Sequence, residues 1–188
     1  MSLRNTDERY GWPSRMLHWL IAILILCLAM VGWIMGELPK NPKYFWVYDL
    51  HKSFGILVLA LMVIRLGWRL YAGSPKPVPG TPTWQHLVAT VTHWAIYAMA
   101  FAMPISGWLY DSASGLRALK FFGLFVVPKL TAPDPELKAT THAFHEYGVW
   151  ILLALVAAHA GAALWHHLIQ KDRTLMRMLP ASLEKKDG

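Results

Sequence analysis

The sequence predicts an all-α integral membrane protein, a four-helix up-and-down bundle with both termini in the cytoplasm. Three observations carry this. The chain is 55% hydrophobic and only 15% charged, with a mean hydropathy of +0.34. Apolar runs long enough to cross a bilayer, roughly 17–25 residues, recur along it. Trp and Tyr cluster near the ends of those runs, as interfacial anchors do (Trp19, Trp33, Trp46, Tyr48, Trp68, Tyr71, Trp108 and Tyr110). The segments between runs are short. Residues 1–188 therefore read as a single transmembrane domain, with any chemistry in or beside the bundle.

The first span covers about residues 16–36, "MLHWLIAILILCLAMVGWIM". It lacks a cleavable-signal pattern and is expected to stay as a signal anchor. The second covers about 51–71, "HKSFGILVLALMVIRLGWRLY", and a Pro-rich, extended connector follows, "SPKPVPGTPT". The third covers about 86–110, with Pro104 marking a kink or an early stop. The fourth covers about 143–169. Between the third and fourth, "LKFFGLFVVPKL" is too short to span and is expected to lie at the interface or cap the bundle.

Four spans put both ends on one side, and Lys and Arg choose the side. Arg4, Arg9, Arg15, Arg65, Arg69, Lys76, Lys171, Arg173, Arg177, Lys185 and Lys186 belong to the termini and the second connection. They outnumber Lys40, Lys43, Lys52, Arg117, Lys120, Lys129 and Lys138 on the other side. The net charge of +7 is accounted for by this bias, and no nucleic-acid partner is expected. The single cysteine, Cys27, excludes an internal disulfide, a covalent CxxCH haem and a cysteine-ligated iron–sulfur cluster, and reads as a small core or lipid-facing residue.

The stretch "HAFHEYGVWILLALVAAHAGAALWHH" carries five histidines in a run apolar enough for lipid, where ionisable groups are expensive and mark function. His145 and His159 are 14 residues apart, about 40° short of four helical turns, with a rise of roughly 21 Å. They share one face at two depths. In an antiparallel bundle His51 lies level with His145 at the outer side. His18 lies level with His159 at the inner side, and depth alone would also allow His93 there. Two stacked sites follow, each with imidazoles from two helices, the arrangement that holds a six-coordinate haem b. Gly55, Gly148 and the small residues around His159 suit a porphyrin, or ordinary close helix packing. Arg65 and Arg69 fall on the His51 face near the inner level, placed to pair with haem propionates or a quinone headgroup, or to snorkel to lipid headgroups. His86, His142 and His167 fall near span ends, where an interfacial place is enough to account for them.

"RMLHW", "LHKSFGILVLALMVIRLGWRL", "HWAIYAMAFAMPISG" and "FHEYGVWILLALVAAHAGAALWHHLIQKDRTLMRMLP" resemble the bacterial cytochrome b561 family, over nearly the whole chain. The likeness is greatest to its small stand-alone diheme members, which include membrane superoxide oxidases. The resemblance implies haem ligation by His18, His51, His145 and His159, favouring His18 over His93. It implies two haems b, ubiquinone near the cytoplasmic haem with His166 at its site, and a bacterial inner-membrane location.

Three functional readings arise. In the first, superoxide at the outer face gives electrons through the haems to ubiquinone, steered by Lys52, Arg117, Lys120, Lys129 or Lys138, whose plainer role is solvated loop charge. In the second, the chain is an electron-transfer subunit between a redox protein partner, such as a hydrogenase or dehydrogenase, and quinone. The short outer loop, 111–140, argues against a large docking platform. In the third, intramembrane histidines move or bind a metal without redox chemistry. The lack of Asp or Glu at helix centres argues against that cation path.

Overall fold

The computed structural model describes residues 2–39 and 41–180. Lys40, Lys185 and Lys186, counted in the charge bias, lie outside them. Four helices have the length and apolarity to cross a membrane. They are α1 (Trp12–Glu37), α2 (Phe45–Ala72), α3 (Thr83–Ala113) and α4 (Pro135–Trp165). Helices α1, α2 and α3 each contain their expected span and extend beyond it, whereas α4 starts earlier than expected and ends at Trp165, the last residues of its span forming a π-helical turn, His166–Gln170. In lipid every backbone N–H and C=O must be satisfied within the segment, so these apolar runs have no alternative to continuous helix.

The helix ends follow local chemistry. Asp134 caps α4, its Oδ1 accepting from the amides of Glu136 (2.9 Å) and Leu137 (3.0 Å), with Pro135 in the first turn. Gly73, at φ +71°, ends α2. Gly11 precedes α1 where a Cβ would lie 2.3 Å from the Leu3 carbonyl oxygen, so no larger residue lets the N-terminal segment fold back there.

Pro104 is not an early stop. Helix α3 continues through it to Ala113. The connection to α4 is correspondingly shorter than 111–140. The proline removes one backbone bond, but the residues beyond it are held from outside the ladder. Ser106 lies against His145, the Trp108 indole donates to Pro128 O (2.9 Å), and Asp111 pairs with Lys52.

Helix α1 packs on α2, α2 on α3, and α3 on α4. Leu17, Ile21, Val58, Met62, Tyr97 and Ala100 form a buried cluster among the first three helices. Across the remaining slot, α4 meets α1 and α2 through ring pairs, among them Trp33–Trp150. Cys27 is exposed.

Residues 2–11 and the segment after α4, through residue 180, lie on one side of the bundle. There residues 2–11, the connector after α2 and the segment after α4 are tied together. Arg9 donates to the carbonyls of Met176 (3.3 Å) and Leu179 (3.0 Å), and Arg15 to Leu179 (2.7 Å). The Trp19 indole donates to Met178 O (2.9 Å), Arg177 to Lys76 O (2.6 Å), and Lys76 pairs with Asp7 at 2.6 Å. Arg9, Arg15 and Arg177, counted in the charge bias, thus serve as donors to backbone carbonyls.

On the opposite side, "LKFFGLFVVPKL" folds into a hairpin of β1 (Lys120–Phe121) and β2 (Phe125–Val126). Its turn holds Phe122 and Gly123 at φ 48° and 77°. It caps the bundle. The Phe122 amide donates to Ser53 Oγ of α2 (3.0 Å), and the Phe122 ring packs edge-on against Phe54 at 4.9 Å.

Candidate functional site

Helix α4 presents two histidines to the slot. Near the hairpin side His145 faces His51 of α2, ring centroids 6.2 Å apart and planes crossed at 80°. Near the terminal side His159 faces His18 of α1 at 6.1 Å and 71°. An imidazole nitrogen binds a transition metal at about 2 Å, so two rings on opposite sides of one iron have centroids roughly 6.3 Å apart. Both pairs have that separation. The His93 ring lies 5.1 Å from His159, edge to face, closer than such a pair requires.

The nitrogens bear on the same fit. His145 Nδ1 is 3.0 Å from the Met103 carbonyl oxygen, which can only accept, so Nδ1 carries the proton and Nε2 keeps its lone pair. Ser106 Oγ stands 3.0 Å from the same Nδ1 and donates to Met103 O at 2.8 Å. His51 Nδ1 is buried with no hydrogen-bond partner among the described residues, a polar atom in search of a ligand or a donor. His18 Nδ1 lies 3.0 Å from Arg65 Nη2. Arginine only donates, so in this arrangement Nδ1 accepts. Arg65 also donates to the Tyr97 hydroxyl at 3.0 Å, and Arg69 lies over the rings of Trp94 and Tyr97.

Two glycines that sequence reasoning passed over stand against these rings. A Cβ on Gly107 would come within 3.1 Å of His145 Cε1, and one on Gly32 within 3.4 Å of His51 Cε1. Their only signal is a position one turn short of a span end, in "ISGW" and "MVGW". Of the glycines that were singled out, Gly148 packs against Met103 and Met99 of α3, while Gly55 meets nothing within 4 Å.

At the terminal end of α4, His166 opens a π-helical turn, His166–Gln170, which Lys171 ends in the left-handed region at φ 56°. His166 Nδ1 meets Asp172 Oδ2 at 2.5 Å. Burial pushes the Asp172 carboxyl upward, but its bonds to the Thr174 hydroxyl and amide and to His166 outweigh that and hold it below the usual range. Asp172 is a third residue, after Gly107 and Gly32, that sequence reasoning missed. The His142 ring lies tilted at 55° against Tyr110, centroids 5.0 Å apart, and its Nδ1 is 3.6 Å from Glu146.

The cations proposed to steer an anion differ in company. Lys52 is bonded to the buried Asp111 at 2.9 Å, with Asp49 at 3.9 Å. Arg117 bonds Asp49 at 2.8 Å and covers the Phe45 ring. Lys129 donates to Leu116 O at 3.3 Å. Lys120 lines a cavity of about 310 Å³ together with Trp46, Asp49, Leu50 and Ser53.

The family model for prokaryotic cytochrome b561 matches residues 9–181. The chain belongs to that family. As a cytochrome b561 it is a multi-pass protein of the bacterial inner membrane whose chemistry is electron transfer through haem b. It is 38% identical over 183 residues to cytochrome b561 homolog 2 of Escherichia coli, covering 97% of each chain. It is 33% identical over 175 residues to a probable superoxide oxidase CybB of Yersinia pestis, covering 92% of this chain and 97% of that one. It is 22% identical over 223 residues to a probable Ni/Fe-hydrogenase B-type cytochrome subunit of Rhizobium leguminosarum, covering 98% and 91%.

Proposed function

We propose that this cytochrome b561 carries electrons from superoxide at the outer face to ubiquinone at the cytoplasmic face, with both termini cytoplasmic. The observation that carries the reading is the stacking of two histidine pairs along α4, at 6.2 and 6.1 Å, each with the spacing of a bis-imidazole iron. His51 and His145 hold the outer haem, His18 and His159 the inner. When bound, two haems b supply a one-electron relay across the bilayer.

The chain's own part is to orient and to charge. Met103 O keeps His145 in the tautomer whose Nε2 is free to bind iron. Ligation through His18 Nε2 requires Arg65 to release Nδ1, which frees its guanidinium for a propionate or a quinone headgroup. His166 stands at the membrane boundary, where a headgroup meets water. Lys120 and Lys138, with Lys129 and the paired Lys52 and Arg117, give the outer face its attraction for a small anion. The donor is taken as superoxide on the strength of the relative that is 33% identical.

Mixing the purified, oxidised protein with superoxide tests this. Rapid haem reduction is expected, followed by reoxidation on adding ubiquinone. The relation to a hydrogenase cytochrome subunit supports a second reading, an electron-transfer subunit for a protein donor. Slow, nonspecific reduction by superoxide together with rapid reduction by a purified redox enzyme would establish that one instead.

A further inference from the structure

We propose that Asp172 is a positioning residue for quinone reduction, holding His166 as the proton donor to the quinone headgroup. This rests on the reading above that ubiquinone is reduced at the terminal end of α4.

The local backbone is built to bring the two side chains together. The amides of Lys171 and Asp172 both return to His166 O, the latter at 3.1 Å, and the left-handed Lys171 reverses the chain. That reversal sets Asp172 Oδ2 on His166 Nδ1, while Oδ1 accepts from the Thr174 amide at 2.7 Å. The carboxylate is thus held at both oxygens. The two side chains are 16% and 17% exposed, so the bond is largely sheltered from water.

A carboxylate on Nδ1 does two things. It fixes the ring proton there and leaves Nε2 as the atom that exchanges protons. It also stabilises the imidazolium that forms when Nε2 is loaded. Conversion of a quinone to its hydroquinone takes two electrons and two protons, one proton to each carbonyl oxygen. The electrons are those the cytochrome carries. One proton passes from His166 Nε2–H to the carbonyl oxygen it faces, the other reaches the far carbonyl oxygen from cytoplasmic water, and the ring is reloaded from the same water. Arg65 and Arg69 cannot serve, because a guanidinium does not give up its proton in this range.

The test compares Asp172→Asn, Asp172→Glu and His166→Ala in the haem-loaded, full-length protein, with a short-chain ubiquinone as acceptor. Asp172→Asn is expected to keep haem content and spectrum, keep KM for the quinone, lower kcat about tenfold or more, and raise the solvent deuterium isotope effect. Asp172→Glu, which keeps the carboxylate, is expected to recover most of the rate. If His166→Ala is slow while Asp172→Asn matches wild type in kcat and isotope effect, Asp172 has no part and the quinone reading stands. If His166→Ala reoxidises normally, the quinone site lies elsewhere and both ideas fall. Should Asp172→Asn not fold, a folded Asp172→Glu as slow as His166→Ala, with an unchanged isotope effect, overturns the assignment.

Discussion

His145 of α4 donates through Nδ1 to the carbonyl oxygen of Met103 on α3, at 3.0 Å. The bond joins α4 to its packing partner and, on the proposed ligation, decides which ring nitrogen can bind iron. His51→Ala and His145→Ala are therefore expected to lose the same haem, and His18→Ala and His159→Ala the other. On the proposed two-site reading, haem extracted with acidified acetone should number about two per wild-type chain and about one in each variant. Loss of the inner haem in His93→Ala, with His18→Ala unaffected, would reassign that ligand.

Gly107 and Gly32 rank by clearance. Gly107→Ala puts a methyl 3.1 Å from His145 Cε1, and Gly32→Ala puts one 3.4 Å from His51 Cε1. The first should lower outer haem retention more than the second, read as the haem-to-protein ratio. Gly107→Val overpacks further, at about 1–3 kcal/mol, and should lose most of that haem.

Lys52 and Asp111 are a sheltered pair, their side chains 22% and 9% exposed. Lys52→Met leaves the carboxylate buried and alone, at a cost of about 3 kcal/mol. The double variant Lys52→Met with Asp111→Leu should recover most of that in thermal unfolding. A double variant no more stable than the single would show that the pair is not the source of the loss.

If superoxide is the donor, its reaction with the oxidised haems should slow as salt rises, because exposed charges are screened over about 8–10 Å at ordinary ionic strength. Lys120→Glu should slow it further without altering the haem spectrum. A rate indifferent to both salt and Lys120 would remove steering from the mechanism.

The folded Asp172 carboxyl lies below its ordinary value of 3.8. A depressed carboxyl contributes stability that is fully present above the unfolded value and lost as pH falls through the folded one. The segment after α4 should therefore hold at neutral pH and loosen only below 3.8, seen as faster hydrogen exchange at the Thr174 amide. Asp172→Asn should remove that acid step.

The spans, the helical class and the two-level spacing of His145 and His159 were legible in the sequence because they depend on local quantities. Hydropathy over twenty residues and a 3.6-residue period need no knowledge of neighbours. Depth was legible too, since antiparallel spans of similar length bring His51 level with His145. Lateral order was not. That His93 lies 5.1 Å and His18 6.1 Å from His159 follows from which helix packs on which, a matter of long-range side-chain fit. The persistence of α3 beyond Pro104, the bond from Lys52 to Asp111, and Gly107 against the His145 ring arise in the same way, from residues distant in the chain. Asp172 is near His166 in sequence, yet their bond depends on a π-turn and a left-handed lysine that no periodicity announces. The sequence alone determined what crosses the membrane and at which depth its histidines lie. Only the tertiary structure decided which side chains meet, because that depends on how four similar apolar faces pack together.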